Sequence, residues 1–353
     1  MKKVVVLILV YVSLLAGCVD PIDFETDTEE SQLVFFGNFS QLDQAHSFSI
    51  SQTSDFDKIA TPVEGAEVVL WDEDGNSAVY ADIGEGNYEL PAGQIEGRPG
   101  IAYYIDVTLS NGESYQSLPQ IMLEPVEMDS LYFDIVSREV LSGSGIPIDR
   151  TFVDIFINTP LIDVCGGRPN LRWSVEEIYS FVDRSCGTFD TAETCYFIDP
   201  VDDSEVLLFE NAGSSQEKIE GLTVRSRELV PYDEFTARHY FIIHQYAISD
   251  DELQYWDKID AVANQTGNLF DVQPARVVGN IFNSENPEQA ALGYFAVNGE
   301  NTKRIFITPF DIRPNTVFTC MDDSFFADNP LICCFCNNKP GIQIERPAFW
   351  DED

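Results

Sequence analysis

The sequence predicts a mainly β protein, in which an N-terminal immunoglobulin-like or transthyretin-like β-sandwich precedes a larger β-rich domain with one clear helix. Short apolar runs, rich in β-branched and aromatic residues, recur with turn residues between them about every ten positions, as sandwich strands do. A chain of 353 residues that is 44% hydrophobic is able to bury a substantial core. Helical periodicity is clear at one place, residues 249–267.

Residues 1–17 are predicted to be a lipoprotein signal peptide. The basic pair Lys2-Lys3 precedes the apolar stretch Val4–Ala16, which is shorter than the roughly 20 residues of a membrane-spanning helix. Leu15-Ala16-Gly17-Cys18 then matches the bacterial lipobox, in which the cysteine thiol accepts a diacylglyceryl group. We therefore expect Cys18 to be lipidated and the chain to be anchored to a membrane. The alternatives are an ordinary secretory signal with an incidental cysteine, or a start-transfer anchor.

Residues 18–31 are expected to form a flexible tether that begins at the lipidated cysteine. The segment is acidic and polar, so it does not bury enough apolar surface to order itself. Acidic residues directly after the lipidated cysteine resemble the surface-export signal of Bacteroidota lipoproteins. This resemblance favours display on the cell exterior. A periplasmic face, with the segment as a plain spacer, is the alternative.

The charge balance excludes two classes of partner. The chain has 60 Asp and Glu against 20 Lys and Arg, a formal net charge of −40. Nucleic-acid binding needs a positively charged protein surface, and so does electrostatic attraction to anionic lipid. The acidic surface favours a partner with a basic face, or cationic or metal-bound cargo.

Residues 32–125 are expected to form the β-sandwich domain. Asp74-Gly75 lies between two apolar runs and predicts a hairpin, because glycine supplies the positive φ that such turns need. Asp72, Asp74 and Asn76 resemble the start of a calcium loop. The distal glutamate of an EF-hand is missing, which favours the plain hairpin.

Residues 126–353 are expected to form a second, cysteine-containing β-rich domain. Its helix starts with a capping box, in which Ser249 caps an amide and Glu252 reaches back to the cap. The apolar stripe of this helix predicts core packing, and Gly267 is predicted to end it. The predicted strands of this domain are Ser130–Ile135, Thr151–Asn158, Asn170–Phe181, Glu205–Glu210, Leu222–Leu229, Arg238–Ile248, Arg304–Thr308 and Gly341–Ile344.

Several later positions carry specific packing predictions. Gly279-Asn280 and Gly293 are predicted at turns or bulges, where glycine allows close backbone approach. Tyr294 and Phe295 are predicted to be core aromatics. Phe349-Trp350 is predicted to pin the C-terminus to the core.

Seven cysteines remain beyond the lipidated one, and disulfides are their default state outside the cytosol. Cys186 and Cys195 are suitably spaced for a local staple. The run at 333–336 is too dense to pair within itself without strain, so Cys165 and Cys320 are its natural partners. Seven is odd, so one thiol stays free or pairs between chains, and the connectivity stays open. The disulfide candidates are Cys165, Cys186, Cys195, Cys320, Cys333, Cys334 and Cys336.

No catalytic motif occurs in the sequence, and we expect the protein not to be an enzyme. His239 and His244 are five positions apart in a predicted strand, so they face opposite sides and do not form a metal pair. No metalloprotease helix, nucleophile elbow, P-loop or dinucleotide fingerprint is present. A carboxylate pair for glycoside hydrolysis stays open, because 60 acidic residues bring some together by chance.

No cofactor is expected, and calcium is the metal that the sequence leaves open. A zinc site at 333–336 lacks the paired cysteine spacing and a nearby histidine. Two acidic clusters carry the hard oxygen ligands that calcium prefers, although solvated acidic loops are the favoured interpretation of both. These clusters are Asp199, Asp202 and Asp203, and Asp322, Asp323 and Asp328.

Several segments of the second half occur in an order typical of one family. They are residues 249–267, Leu269–Asp271, Gln273–Ala275, Val278–Ile281, Ala291–Phe295, Cys333–Cys336 and Arg346–Trp350. With the lipobox and the N-terminal sandwich, they resemble the Bacteroidota lipoproteins of domain-of-unknown-function family 4249 over nearly the whole mature chain. The resemblance implies an outer-membrane lipoprotein encoded beside a TonB-dependent transporter. It supplies no catalytic residues.

The expected function is therefore that of an outer-membrane, surface-exposed lipoprotein. It would act as a non-enzymatic accessory, or substrate-capture partner, of a TonB-dependent outer-membrane β-barrel, with unidentified cargo. The alternative is an envelope assembly or interaction lipoprotein that has no small-molecule substrate.

Overall fold

The computed structural model describes residues 31–53, 60–183, 193–199, 206–229, 235, 238–264, 277–288, 290–312, 342–343 and 345–350. These ranges contain one α-helix, α1 (Asp250–Ala263), among many strands, so the predicted mainly β fold is confirmed. The strands are β1 (Leu33–Ser40), β2 (His46–Gln52), β3 (Thr61–Pro62), β4 (Glu67–Asp72), β5 (Ser77–Val79), β6 (Ala81–Gly84), β7 (Asn87–Leu90), β8 (Ala102–Thr108), β9 (Ser114–Ser117), β10 (Gln120–Ile121), β11 (Ser130–Leu141), β12 (Pro147–Pro160), β13 (Asn170–Asp183), β14 (Glu193–Asp199), β15 (Leu207–Phe209), β16 (Lys218–Glu228), β17 (His239–Ile248), β18 (Ile281–Asn283), β19 (Leu292–Ile307) and β20 (Ile342–Gln343).

The N-terminal strands form two sheets that face each other across one core. Strands β1, β2, β3, β6 and β7 form one end of an 11-stranded sheet, and β4, β5, β8, β9, β10 and β18 form a six-stranded sheet. Phe35 and Phe48 from the first sheet meet Leu70 and Ile105 from the second, and all four are fully buried. Two inner faces that share a core in this way make a sandwich.

Strand β19 joins the two halves of the 11-stranded sheet. Its first part, Leu292–Asn298, pairs in parallel with β1, and the rest pairs antiparallel with β17. Phe295 of β19 and Ile281 of β18 enter the core of the N-terminal sandwich. Hydrogen bonding therefore continues across the predicted boundary at residue 125, because the edge of β1 is covered by a strand from the second half of the chain.

The sequence predicts this strand only from 304 to 308, but it begins at Leu292. Two polar residues, Asn298 and Glu300, interrupt the apolar pattern. Both are buried in the strand. Asn298 Nδ2 donates to Glu252 Oε1 at 3.2 Å, and Glu300 Oε1 lies 2.7 Å from His244 Nδ1. Because these two buried polar residues interrupt the apolar alternation, the hydrophobic pattern alone does not predict the full length of this strand.

Two glycines allow the backbones to approach closely where β19 begins. A Cβ on Gly279 would lie 1.6 Å from the carbonyl oxygen of Gly293. A Cβ on Gly293, which has a φ of +86°, would lie 1.9 Å from the carbonyl oxygen of Phe35. The predicted close approach is confirmed, since no other residue fits at these positions.

Strands β11, β12 and β16 form a separate antiparallel sheet that packs over β13, β17 and β19. Val153 and Ile155 of β12 meet Trp173 and Phe241 in a second core. Strand β16 pairs with β12 no further than Phe152, whereas β11 and β12 continue together to their turn. The end of this hairpin is therefore a ribbon of only two strands.

Helix α1 starts where the sequence predicts. Ser249 Oγ accepts a hydrogen bond from the amide of Glu252 at 3.2 Å, so the predicted cap is confirmed. The second half of the predicted capping box is wrong. Glu252 does not reach back to the cap, because its carboxylate is buried and accepts hydrogen bonds from Trp256 Nε1 and Asn298 Nδ2, both at 3.2 Å.

The helix ends earlier than predicted. Its last residue is Ala263, and Asn264 caps it by donating its amide to the carbonyl of Asp260. The predicted end, Gly267, lies outside the described residues. As the only α-helix in the described ranges, α1 is too short and too polar to be a membrane span.

The predicted aromatic anchors are confirmed. Tyr294 and Phe295 are buried in β19, and Trp350 packs against Tyr196 and Tyr240 near the C-terminus. The carbonyl of Trp350 accepts a hydrogen bond from Arg238 at 2.7 Å and one from the Tyr240 hydroxyl at 2.9 Å. These contacts fix the last described segment to the face of the large sheet.

Candidate functional site

An open groove of about 350 Å³ lies between β15, β16 and the last turns of α1. This volume is within the range of ligand pockets, roughly 300–1,000 Å³. One guanidinium, one carboxylate, two hydroxyls and one carboxamide line the groove together with aliphatic side chains, so it offers both donors and acceptors. The lining residues are Val206, Leu207, Thr223, Val224, Arg225, Ser226, Asp260 and Asn264.

The guanidinium of Arg225 is held in place by a carboxylate behind the groove. Arg225 Nε donates to Glu177 Oε1 at 2.6 Å, and Arg227 Nε lies 3.7 Å from Glu177 Oε2. The Glu177 side chain is only 2% exposed. A buried pair with this geometry is strongly oriented, so the groove presents Arg225 on a rigid support.

His239 completes this network from strand β17. Its Nε2 lies 2.9 Å from Glu177 Oε2, and its ring stacks on those of Tyr179, Phe235 and Phe241 at centroid distances of 4.6–4.9 Å. Burial by itself would raise the pKa of Glu177. The hydrogen bond with His239 and the nearby arginine charges outweigh that effect and lower the pKa to about 2.

The second histidine of β17 belongs to a different network on the opposite face, as its odd offset predicts. His244 Nδ1 lies 2.7 Å from Glu300 Oε1, and Nε2 lies 3.7 Å from Glu176 Oε2. Burial would lower the pKa of His244, but its hydrogen bonds to Glu176 and Glu300 raise it to about 9. Gln41 bonds to both backbone polar groups of Glu300, which ties the β1–β2 turn to β19.

A third buried charge lies under the helix. The guanidinium of Arg172 stacks over the rings of Tyr246 and Trp256, at 4.6 and 4.3 Å from their centroids. Burial raises the pKa of Glu252, and the charge of Arg172 opposes that rise. These groups lie inside the protein and connect α1 to the sheet, so their chemistry is structural.

The predicted disulfide candidates fall largely outside the described residues. Cys165 is exposed with a free thiol, so the predicted pairing of Cys165 with the 333–336 run does not occur in this structure. It lies in a turn where Asp163 Oδ1 accepts hydrogen bonds from the amides of Cys165 and Gly167, each at 2.8 Å. Cys195 is fully buried in β14. Outside the described residues lie Cys18, Cys186, Cys320, Cys333, Cys334 and Cys336.

The calcium candidates that the structure describes have other partners. Asp72 accepts hydrogen bonds from the amide and the side chain of Asn76, both at 2.8 Å, so this segment is the plain hairpin. Asp199 lies 3.8 Å from Arg227. Within the described ranges, no three His, Cys, Asp or Glu side chains form a cluster suited to a metal ion. Asp202, Asp203, Asp322, Asp323 and Asp328 lie outside those ranges.

The groove itself was not predicted. Arg225 and Asp260 come from a strand and a helix that are distant in sequence, so neither carries a local signal of the other. Glu177 does carry a signal. It follows another glutamate inside a predicted strand, so one of the two carboxylates faces the inner side, where a charged residue needs a partner.

Comparisons with known proteins identify the family. No curated protein matches the chain. The profile of DUF4249, described as a domain of unknown function, matches residues 19–304. This match covers most of the chain and agrees with the resemblance noted in the sequence, so the protein belongs to the DUF4249 family.

Proposed function

We propose that the protein is a lipid-anchored accessory of a TonB-dependent outer-membrane transporter, which captures small polar cargo at the cell surface without altering it. The observation that carries this proposal is the groove beside Arg225, where oppositely charged and hydroxyl groups line a space of ligand size. Rigid strands support the groove, as capture requires, because preorganised groups lose little entropy on binding.

The side chains that line the groove limit the chemical classes of cargo that it can bind. Arg225 offers a cation, Asp260 an anion and Thr223 a hydroxyl. The Ser226 hydroxyl is already bonded to Asp154 and Arg138, and Asn264 Nδ2 already donates to Asp260 Oδ1 at 2.7 Å. A ligand with both charges, or one rich in hydroxyl or amide groups, uses such a lining best. A purely apolar ligand would leave these groups without partners, at a cost in affinity.

The anchor in this proposal is Cys18, with residues 18–31 as its tether. Support comes from the lipobox and from the acidic residues that follow it. We further propose that Cys195 forms a disulfide, with Cys186 as the nearest candidate in sequence. A Cys18→Ala variant is expected to lose membrane association, and external protease is expected to remove the wild-type protein from intact cells.

The test of function is co-purification from detergent-solubilised envelopes. We expect the tagged wild-type chain to bring a TonB-dependent barrel with it, and native mass spectrometry to find a small ligand in the complex. An Asp260→Asn variant, which leaves the buried Arg225–Glu177 pair intact, should keep the barrel and lose the ligand. If the wild-type complex contains the barrel and no ligand, the assembly-lipoprotein alternative is correct. If no barrel is recovered, the proposal fails.

A further inference from the structure

The far end of the β11–β12 hairpin, residues 137–151, extends past the third strand of its sheet, and we call it the ribbon tip. Five cross-strand pairs, from Ser137↔Thr151 to Leu141↔Pro147, have no third strand paired beside them. The third strand reaches them only through the amide of Leu229 and the side chains of Ser226 and Glu228. A hairpin of two strands is only marginally stable in water by itself. The ribbon tip therefore depends on the rest of its sheet for stability, and its strand edges are open to solvent.

The turn displays two large aliphatic side chains to solvent. Leu141 is 73% exposed and Ile146 is 61% exposed. The turn between them is well formed, because Ser142 N donates to the carbonyl of Ile146 at 2.9 Å, and Ile146 N donates to Ser142 Oγ at 3.0 Å. Exposed aliphatic side chains that a formed turn presents to solvent suit contact with an apolar surface of another protein.

One face of the ribbon tip has its charges neutralised. Arg138 and Arg150 lie directly opposite each other across the two strands. Arg138 Nη1 is 3.0 Å from Asp154 Oδ2, and Arg150 Nη1 is 2.9 Å from Glu228 Oε1. The like charges of this pair are therefore compensated within the sheet.

The other face has an uncompensated acidic pair. Glu139 and Asp149 also lie directly opposite each other, and the strand alternation places Leu141 on the same face. Neither carboxylate has an ion-pair partner among the residues that the structure describes. Like charges in directly opposed positions destabilise a ribbon, so this pair is complementary to basic groups from outside.

We propose that the ribbon tip is a docking element for a protein partner that presents basic side chains beside an apolar pocket. Leu141 and Ile146 enter the pocket, and Glu139 and Asp149 pair with the basic groups. The acidic pair disfavours an anionic lipid surface, and a second copy of a chain with net charge −40 is a poor source of basic groups. This inference rests on the proposed function, because it assigns the surface through which the chain meets its barrel.

The experiment repeats the envelope co-purification with paired variants of the full chain. Leu141→Ser/Ile146→Ser removes the apolar anchors, and Glu139→Lys/Asp149→Lys reverses the acidic pair. Matched controls at other exposed strand positions are Val79→Ser, whose side chain is 58% exposed, and Glu67→Lys. We expect about tenfold less barrel with each ribbon variant, and no change with the controls. Equal urea midpoints confirm that all variants are folded.

A photo-reactive residue at position 141 distinguishes the possible occupants. We expect the residue at position 141 to cross-link to the barrel at a site with basic residues. The same photo-reactive residue at the control position 79 should give no cross-link to the barrel. A cross-link to a second copy or to lipid overturns the inference. Barrel recovered equally with wild type and ribbon variants overturns the ribbon tip alone and leaves the proposed function standing. If the wild-type chain brings no barrel, both proposals fall together.

Discussion

Replacing Glu177 with glutamine tests whether the buried network behind the groove holds the two layers of the second half together. The carboxylate of Glu177 belongs to the large sheet, and Arg225 belongs to the sheet that packs over it. Glutamine has nearly the same shape but no charge, so the variant leaves Arg225 buried beside a neutral group. Loss of one partner from such a pair typically costs about 3–5 kcal/mol.

The pKa of Glu177 gives the same magnitude independently. A folded-state pKa of about 2, against an ordinary value of 4.5, corresponds to about 3 kcal/mol of stabilisation at neutral pH. Because the folded-state pKa is the lower one, this contribution is fully present above pH 4.5 and is lost as the pH falls towards 2. The difference in unfolding free energy between wild type and Glu177→Gln should therefore fall to about half at pH 3.

Urea unfolding at pH 7 and pH 3 measures both effects. The matched control is Glu220→Gln, since Glu220 pairs with Lys218 at the surface and is 66% exposed. An exposed pair contributes at most about 1 kcal/mol. A Glu177→Gln difference no larger than that of the control, or one that is the same at both pH values, would refute the assignment of a buried, charge-stabilised network.

Three further predictions concern the backbone, the second histidine and the helix. Gly293→Ala should destabilise the protein much more than the control Gly213→Ala. Gly213 has a similar positive φ but open space around it, so its replacement should cost about 1–2 kcal/mol. Equal urea midpoints for the two variants would contradict the close contact at Gly293. His244 should titrate near pH 9 by NMR, and its stabilising contribution should be present below pH 6.5 and lost as the pH rises through 9; a midpoint near 6.5 would show that its carboxylate partners are absent. Ser249→Ala should cost about 1 kcal/mol through loss of the cap, with Ser249→Asp as the conservative control; no loss would mean that the cap does not form.

The sequence by itself determined the features that depend on local chemistry. The turn at Asp74-Gly75, the cap at Ser249 and the mainly β class follow from backbone preferences and periodicity that a short window contains. Gly293 was also found this way, because a glycine inside an apolar strand pattern indicates close backbone approach.

Only the tertiary structure decided which distant segments meet. Nothing near Leu33 indicates that β1 pairs with residues 292–298, since parallel pairing leaves no turn signal between the strands. Glu252 looks like half of a capping box, yet its carboxylate bonds instead to Trp256, one turn further along α1, and to Asn298 of the sheet beneath the helix. The groove likewise joins a strand and a helix that are distant in sequence. Burial and hydrogen bonding depend on contacts across the whole fold. The free energy of a buried charge therefore depends on partners that its neighbours in sequence do not specify.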